Sequence, residues 1–360
     1  RLRVSEAYDD NLFLAKKNRK EDYITTISPS VLFSVTSKYI AFDMNYVMDY
    51  KNYQNNSRQS GTSHVLLTYI RPGSLALPFK KRGGKIGIEI QEDFQPFVTS
   101  VATSEQTERT DRTYNKFFSA IDYYISEKRT LALEYTNIYM HYRTSTLRNY
   151  SYTENNISPT FYFHIRPKWS LFTGYSYGIF DYSKGAGDST YHQIRSGVTG
   201  TLFTKVLAHL EIGKRWRTYK ESENGEAQVL FLKTALLDKF TPSTTGTLQY
   251  NRIDEDSVHT NNPYYISDAV SFNLEHKFTY KTTGILGIKY IHNDYERDTT
   301  IDEVTKKRED NIWQPQLGLR YQFRKWLSAD LNYTHQNRTS NFDKYNYVDN
   351  CIMSGINAQF

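Results

Sequence analysis

Apolar and polar residues alternate with period two almost from one end of the chain to the other. Val31, Phe33 and Val35 alternate with Leu32, Ser34 and Thr36; Phe42, Met44, Tyr46 and Met48 alternate with Asp43, Asn45, Val47 and Asp49. Ile86, Ile88 and Ile90 against Gly87, Glu89 and Gln91 repeat the pattern. So do the faces Phe117, Ile121, Tyr123, Ile125 and Leu317, Leu319, Tyr321, Phe323. Successive strand side chains point to opposite sides, so this alternation predicts strands with one apolar face. Few windows hold helical spacing, and none approaches the roughly 18 apolar residues of a membrane-spanning helix.

The connections are of two kinds that take turns. Tight ones, charged or bearing Pro and Gly, lie at 36–39, 71–74, 126–129, 166–169, 204–207, 241–244, 280–283 and 323–326. Longer hydrophilic ones lie at 15–21, 55–60, 98–111, 144–149, 183–190, 220–226, 254–263, 296–310 and 338–346. Eight turns and nine loops make seventeen connections, which predicts eighteen strands with both chain ends on the tight-turn side. A propeller also repeats near 40 residues, but it has four short strands per blade and no such division of its connections. Long strands in even number, with short turns at one end and long loops at the other, describe an all-β, antiparallel, up-and-down transmembrane barrel. Residues 1–360 read as one such domain.

Composition sharpens the picture. Apolar residues make up only 38% of 360, and 31 of them are Tyr, too few for a large water-soluble core. Aromatics at 15% are far too frequent for a disordered chain. A barrel needs an apolar surface only on alternate residues across the bilayer. The net charge of +6 is small and scattered, without the basic stripe of a nucleic-acid binder. One cysteine, Cys351, excludes a disulfide framework or a cysteine-rich metal site. No cofactor is expected. The opening RLRVSEAYDD is neither a signal peptide nor a lipidation site, so Arg1 reads as a mature end after processing or a boundary.

Aromatics crowd the tight turns: Tyr39, Phe79, Trp169, Phe203, Phe240, Tyr280, Phe323 and Trp326. Amphipathic rings suit a membrane boundary, so these are the expected girdle on that side. The closing strand ends in Phe360, with Ala358, Ile356, Ser354 and Ile352 on the same face. This resembles the carboxy-terminal signal by which barrel assembly machinery recognises outer-membrane proteins, and implies that machinery as a partner.

The opening carries a more particular resemblance. Tyr8, Asp9, Asp10, Asn11, Leu12 and Phe13, then Asp22, Tyr23 and Ile24, then Ile27, Ser28 and Pro29 resemble the amino-terminal hairpin of the β-barrel porin type 2 family. Glu21 stands where that family often has Ser, and Ser30 where Gly is common. The match is sharp over 6–33 and a hairpin rhythm beyond. The resemblance implies a bacterial outer-membrane barrel, often encoded with exopolysaccharide synthesis and export systems.

The strand phases put one set of residues on the water-filled side. Its acids include Asp43, Asp49, Glu89, Asp93, Asp122 and Glu134; its bases include Arg195, Arg215, Arg217, Lys277, Lys289 and Arg320. Acids and bases balance, which argues against strong ion selectivity. The acids cluster early and the bases late, so a transverse field across the lumen is expected. The phase of 227–238, and with it Lys233, is left open by the pattern. Amides such as Gln249, Asn273, Gln316 and Asn332 suit sugar hydroxyls.

These features point to a porin-like channel for polar solutes or exported polysaccharide, with both termini periplasmic. Outer-membrane lipid and lipopolysaccharide are the expected surroundings. Lys306, Lys307 and Arg308 are candidates to touch lipopolysaccharide phosphates. The loops 98–111 and 296–310 are the expected inward folders. The alternative is a non-conducting barrel that anchors periplasmic polysaccharide-export or secretion components. Catalysis is disfavoured: nine histidines show no spacing that singles out a nucleophile's partner. His292-Asn293-Asp294 is the nearest approach to a catalytic set.

Overall fold

A computed structural model of the chain describes residues 1–37, 40–71, 86–100, 110–166, 168–184, 187–202, 205–220, 225–259, 262–301 and 303–360. The strands are β1 (Leu2–Asp9), β2 (Asp22–Thr36), β3 (Ala41–Tyr53), β4 (Gly61–Arg71), β5 (Ile86–Ser100) and β6 (Thr110–Ser126). They continue as β7 (Arg129–Tyr142), β8 (Tyr152–Arg166), β9 (Trp169–Tyr182), β10 (Ser189–Leu202), β11 (Val206–Tyr219) and β12 (Glu226–Thr241). The last six are β13 (Thr244–His259), β14 (Asn262–Lys277), β15 (Thr282–Ile301), β16 (Val304–Arg324), β17 (Leu327–Ser340) and β18 (Tyr347–Ala358). Each pairs antiparallel with its sequence neighbours, and β1 closes the ring on β18: Val4 lies opposite both Ile27 and Ile356. The eighteen expected strands are all present. Closure gives every strand a partner on both sides, the condition for a sheet to stand in lipid.

Alternation divides every strand between two surfaces. Leu131, Ile194, Ile212, Leu230, Leu317 and Ile352 stand exposed on the outside. So contiguous an apolar surface fits hydrocarbon rather than water. Opposite them, on the inside, Ser158, Thr160, Ser176, Gln193, Glu211 and Arg217 are buried. At the turn end Phe240, Tyr280, Phe323 and Trp326 are exposed as the girdle requires. Tyr39, Phe79 and Phe203 lie outside the described residues, as does the turn expected at 71–74 beyond Arg71.

A second belt circles the outside nearer the loop end. Tyr135, Tyr175, Tyr250 and Tyr333 each stand six positions beyond the first residue of their strands. Each hydroxyl meets a polar group on the next strand: Asn155, His192, Asp268 and Asn350. Tyr46 with His64 (2.8 Å) and Tyr290 with Asn311 (2.6 Å) continue it. Rings below and hydrogen-bonded hydroxyls above are the arrangement a membrane boundary favours.

Candidate functional site

One seam of the barrel ring opens towards the loop end. Pairing between β12 and β13 ends at Leu232 opposite Arg252, while β13 and β14 continue together to Asp256 opposite Tyr264 and His259 opposite Asn262. Beyond that seam the tip of the β13–β14 hairpin folds inward, across the inner face of β12 to that of β11. Asp254 meets Arg215 at 2.8 Å, and Asp256 meets Arg217 at 2.6 Å. Tyr264 stacks against Tyr219, with ring centres 6.4 Å apart. Beneath the hairpin Ala227, Val229 and Phe231, on the inner face of β12, are buried. The hairpin thus gives the barrel an internal core at its loop end.

The wall receiving the hairpin is built to hold flat side chains. Arg215 lies over the Tyr191 ring at 4.6 Å, and Arg217 over Phe180 at 4.3 Å. Tyr191 donates to Glu154 at 2.7 Å and accepts from Asn156 at 2.7 Å. Its ring lies over Gly178, its partner on β9: a Cβ there would stand 2.1 Å from Tyr191 Cε1. Only glycine leaves room for the ring at that position. One rung further towards the turn end, Arg195 donates to Glu134 at 2.8 Å and Thr160 at 2.7 Å, and lies 3.4 Å from Glu211.

The first loop enters the same end of the barrel. Asn11, fully buried, donates to the carbonyls of Ala15 and Val348 and accepts from the Ala15 amide. Leu12 packs against Tyr53, Phe13 and Ile24. Leu14 adopts a left-handed backbone, φ 50°, uncommon for a bulky side chain, and Asn18 does the same at φ 55°. Leu14 reaches a cavity of about 490 Å³ whose other walls come from β13 to β17. Lys16 pairs with Asp343 across the loop end, and that hydrogen bond holds the Asp343 carboxyl below its usual range.

The expected lumen residues sit on inner faces. Asp43 accepts from the Ser34 hydroxyl, and Asp49 borders a turn-end cavity with Arg3 and Lys325. Glu89 lies 3.7 Å from Arg71, Asp93 accepts from Gln95 at 2.8 Å, and Asp122 stands on β6 opposite Ala132. Lys277 ends β14 at the turn side, and Arg320 lies opposite Asp330, which Arg3 engages at 2.8 Å. Lys233, whose phase the pattern left open, lies opposite Glu211 and Asn251 on the inner face. The late bases do not form a free positive arc. Glu134, Glu211, Asp254 and Asp256 neutralise Arg195, Arg215 and Arg217, so the expected transverse field is largely cancelled at the loop end.

Two other expectations change. The inward folders are 10–21 and the described end of the β13–β14 hairpin, whereas 296–301 and 304–310 belong to β15 and β16, of 20 and 21 residues. Residues 101–109 of the other expected loop lie outside the described ones. Arg308 is no surface cation: fully buried, it pairs with Asp310 at 2.5 Å and lies over Tyr345 and Tyr295. His292 and Asn293 fall on alternate faces of β15, so His292-Asn293-Asp294 does not converge as a catalytic set. Among the described residues, no group of His, Cys, Asp and Glu could hold a metal ion. Phe360 is exposed just past β18, with Ile356 outward and Ala358 opposite both Leu2 and Leu327.

A closed barrel with an apolar exterior and a polar, ion-paired interior defines a porin-type protein of the bacterial outer membrane. The chain belongs to the family described as Putative beta-barrel porin 2, whose model matches residues 163–360. The opening motif at 6–33, which carries the resemblance noted from sequence, lies outside that stretch. No curated protein sequence matches the chain. Among solved structures, OccK1 (OpdK) of Pseudomonas aeruginosa is similar at a TM-score of 0.52 and 10% identity, over 98% of this chain and 96% of that one. OccK2 (OpdF) of the same organism, in complex with glucuronate, is similar at a TM-score of 0.50 and 10% identity, over 100% and 97%. At that identity the likeness is one of fold.

Proposed function

We propose that this chain is an outer-membrane channel for polar solutes, with sugar chains as its favoured cargo. The observation that carries the reading is the inner wall of β13 to β17. There Gln249, Asn251, Asn273, Gln314 and Gln316 line two adjoining cavities. Amide donors and acceptors in neighbouring pairs match the hydroxyls of a sugar and hold no net charge. The ion pairs on β10 and β11 leave little selectivity for one ion sign. In this reading the long loops face outside, the termini face the periplasm, and Phe360, Ile356 and Ala358 are read by the assembly machinery. The test is the reversal potential of the protein in a planar bilayer under a KCl gradient. Near-equal cation and anion permeability is expected; strong selectivity for either sign would count against the balanced wall.

A second reading is an anchor that does not conduct and completes a periplasmic export or secretion assembly. The two inward-folded elements at the loop end favour it, because together they could close the lumen. Absence of single-channel current from correctly folded protein, with co-purification of periplasmic export components, would establish that reading instead.

A further inference from the structure

The two cavities against β13 to β17 adjoin around Lys289. Asn251, Ala269, Gln314 and Lys289 border both, and Lys289 is the sole cation among the residues lining them. Its side chain is exposed to the interior, opposite Ser271 on one side and Gln314 on the other. No carboxylate pairs with it among the described residues, whereas Arg195, Arg215 and Arg217 on β10 and β11 all have acidic partners. Glu255 borders the same trough but stands opposite Tyr265, six residues along β14 from Ser271, a separation of about 20 Å. Ala269 and Gly287 keep the floor low. A Cβ on Gly287 would meet Asn273 Oδ1 at 2.9 Å. The trough therefore offers a single unpaired ammonium set among neutral amides, with space above it.

We propose that Lys289 and its amide neighbours form a subsite for a sugar unit bearing one carboxylate, a hexuronate residue within a saccharide. This rests on the channel reading and names its cargo more closely. A neutral sugar satisfies the amides alone, and a monocarboxylate adds a charge-assisted bond to Lys289 without stripping a partner from it. A dianionic phosphate would leave half its charge uncompensated in a trough with one cation. The ammonium is a compact point charge on a flexible stem, suited to a chain that passes rather than to tight capture.

Current blockade by trigalacturonate and by maltotriose, neutral and of equal length, tests this in a planar bilayer. Wild type should be blocked by trigalacturonate at about tenfold lower concentration. Lys289→Gln should remove that difference while leaving maltotriose blockade as it was, and Lys289→Arg should keep it. Equal blockade by both saccharides in wild type, or a preference that survives Lys289→Gln, would overturn the subsite and leave the channel standing. If the folded protein carries no current, the channel reading fails by itself. Saturation-transfer NMR on the detergent-solubilised barrel then decides the subsite. Trigalacturonate signals lost in Lys289→Gln support it, and signals unchanged overturn it.

Discussion

Arg217 on β11 and Asp256 on the β13–β14 hairpin lie 2.6 Å apart although neither strand neighbours the other in the sheet. That contact, with Arg215 to Asp254 beside it, draws a strand tip off the barrel wall and into the lumen. Arg217 is only 3% exposed. Removing both acids strands the buried Arg217 and the half-buried Arg215, a loss of about 3–5 kcal/mol for the buried pair. In Asp254→Asn/Asp256→Asn the hairpin should detach while the barrel stays folded. Hydrogen exchange would show it as accelerated exchange of amides across 253–266, with β5 to β9 unchanged.

Gly178 supports the same wall from beneath. Gly178→Ala would drive a Cβ into the Tyr191 ring, displacing the hydroxyl from Glu154 and Asn156 and the ring from Arg215. An overpacking cost of about 1–3 kcal/mol is expected. Thermal unfolding in detergent micelles would read it as a lowered Tm. Gly225, where an added Cβ meets nothing within 4 Å but the backbone is left-handed at φ 64°, should show only the smaller conformational cost.

Asn11 holds the first loop in the lumen. Asn11→Ala deletes three hydrogen bonds at a fully buried position and leaves two carbonyls and an amide without those partners. The left-handed backbone of Leu14 then loses its support. The loop should swing free and be cut by trypsin at Lys16, Lys17, Arg19 or Lys20 faster than in the wild type. Equal cleavage of both proteins would show that the loop is not fixed by Asn11.

The outer surface should be intolerant of charge. Leu286→Lys places an ammonium on the exposed apolar face of β15, between the turn end and the tyrosine belt, at a cost of about 2–4 kcal/mol. Thr334→Lys, on the inner wall of β17, meets water instead. Refolding yield into vesicles, read from heat-modifiable gel mobility, should fall for the first and hold for the second.

The ring was legible in the sequence because its signal is local. Period-two alternation fixes which residues of a strand share a face, and turn chemistry fixes where strands end. Hence the eighteen strands, and the inward phases of Asp43, Glu89, Glu134, Arg195 and Lys289, could be read without a structure. What could not be read is anything set by contacts between strands that are not neighbours. Glu134 and Arg195 meet across two intervening strands, although each was identified separately. Asp254 and Asp256 alternate in phase with the outward Leu248 and Tyr250, and only departure from the sheet turns them to Arg215 and Arg217. One clue was present: Asp254-Glu255-Asp256 puts acids on both faces of a strand, which no membrane-embedded segment tolerates. The loop-end tyrosine belt was missed for a similar reason. Its mark is a pairing, Tyr46 with His64 or Tyr135 with Asn155, that appears only once register is known.

Single-channel recording of wild type beside Asp254→Asn/Asp256→Asn tests most directly whether the polar interior is a pathway partly closed by its own hairpin. Discrete steps from the wild type, and larger steps from the variant, are expected. No current from either folded protein would contradict the account and leave a barrel that anchors rather than conducts.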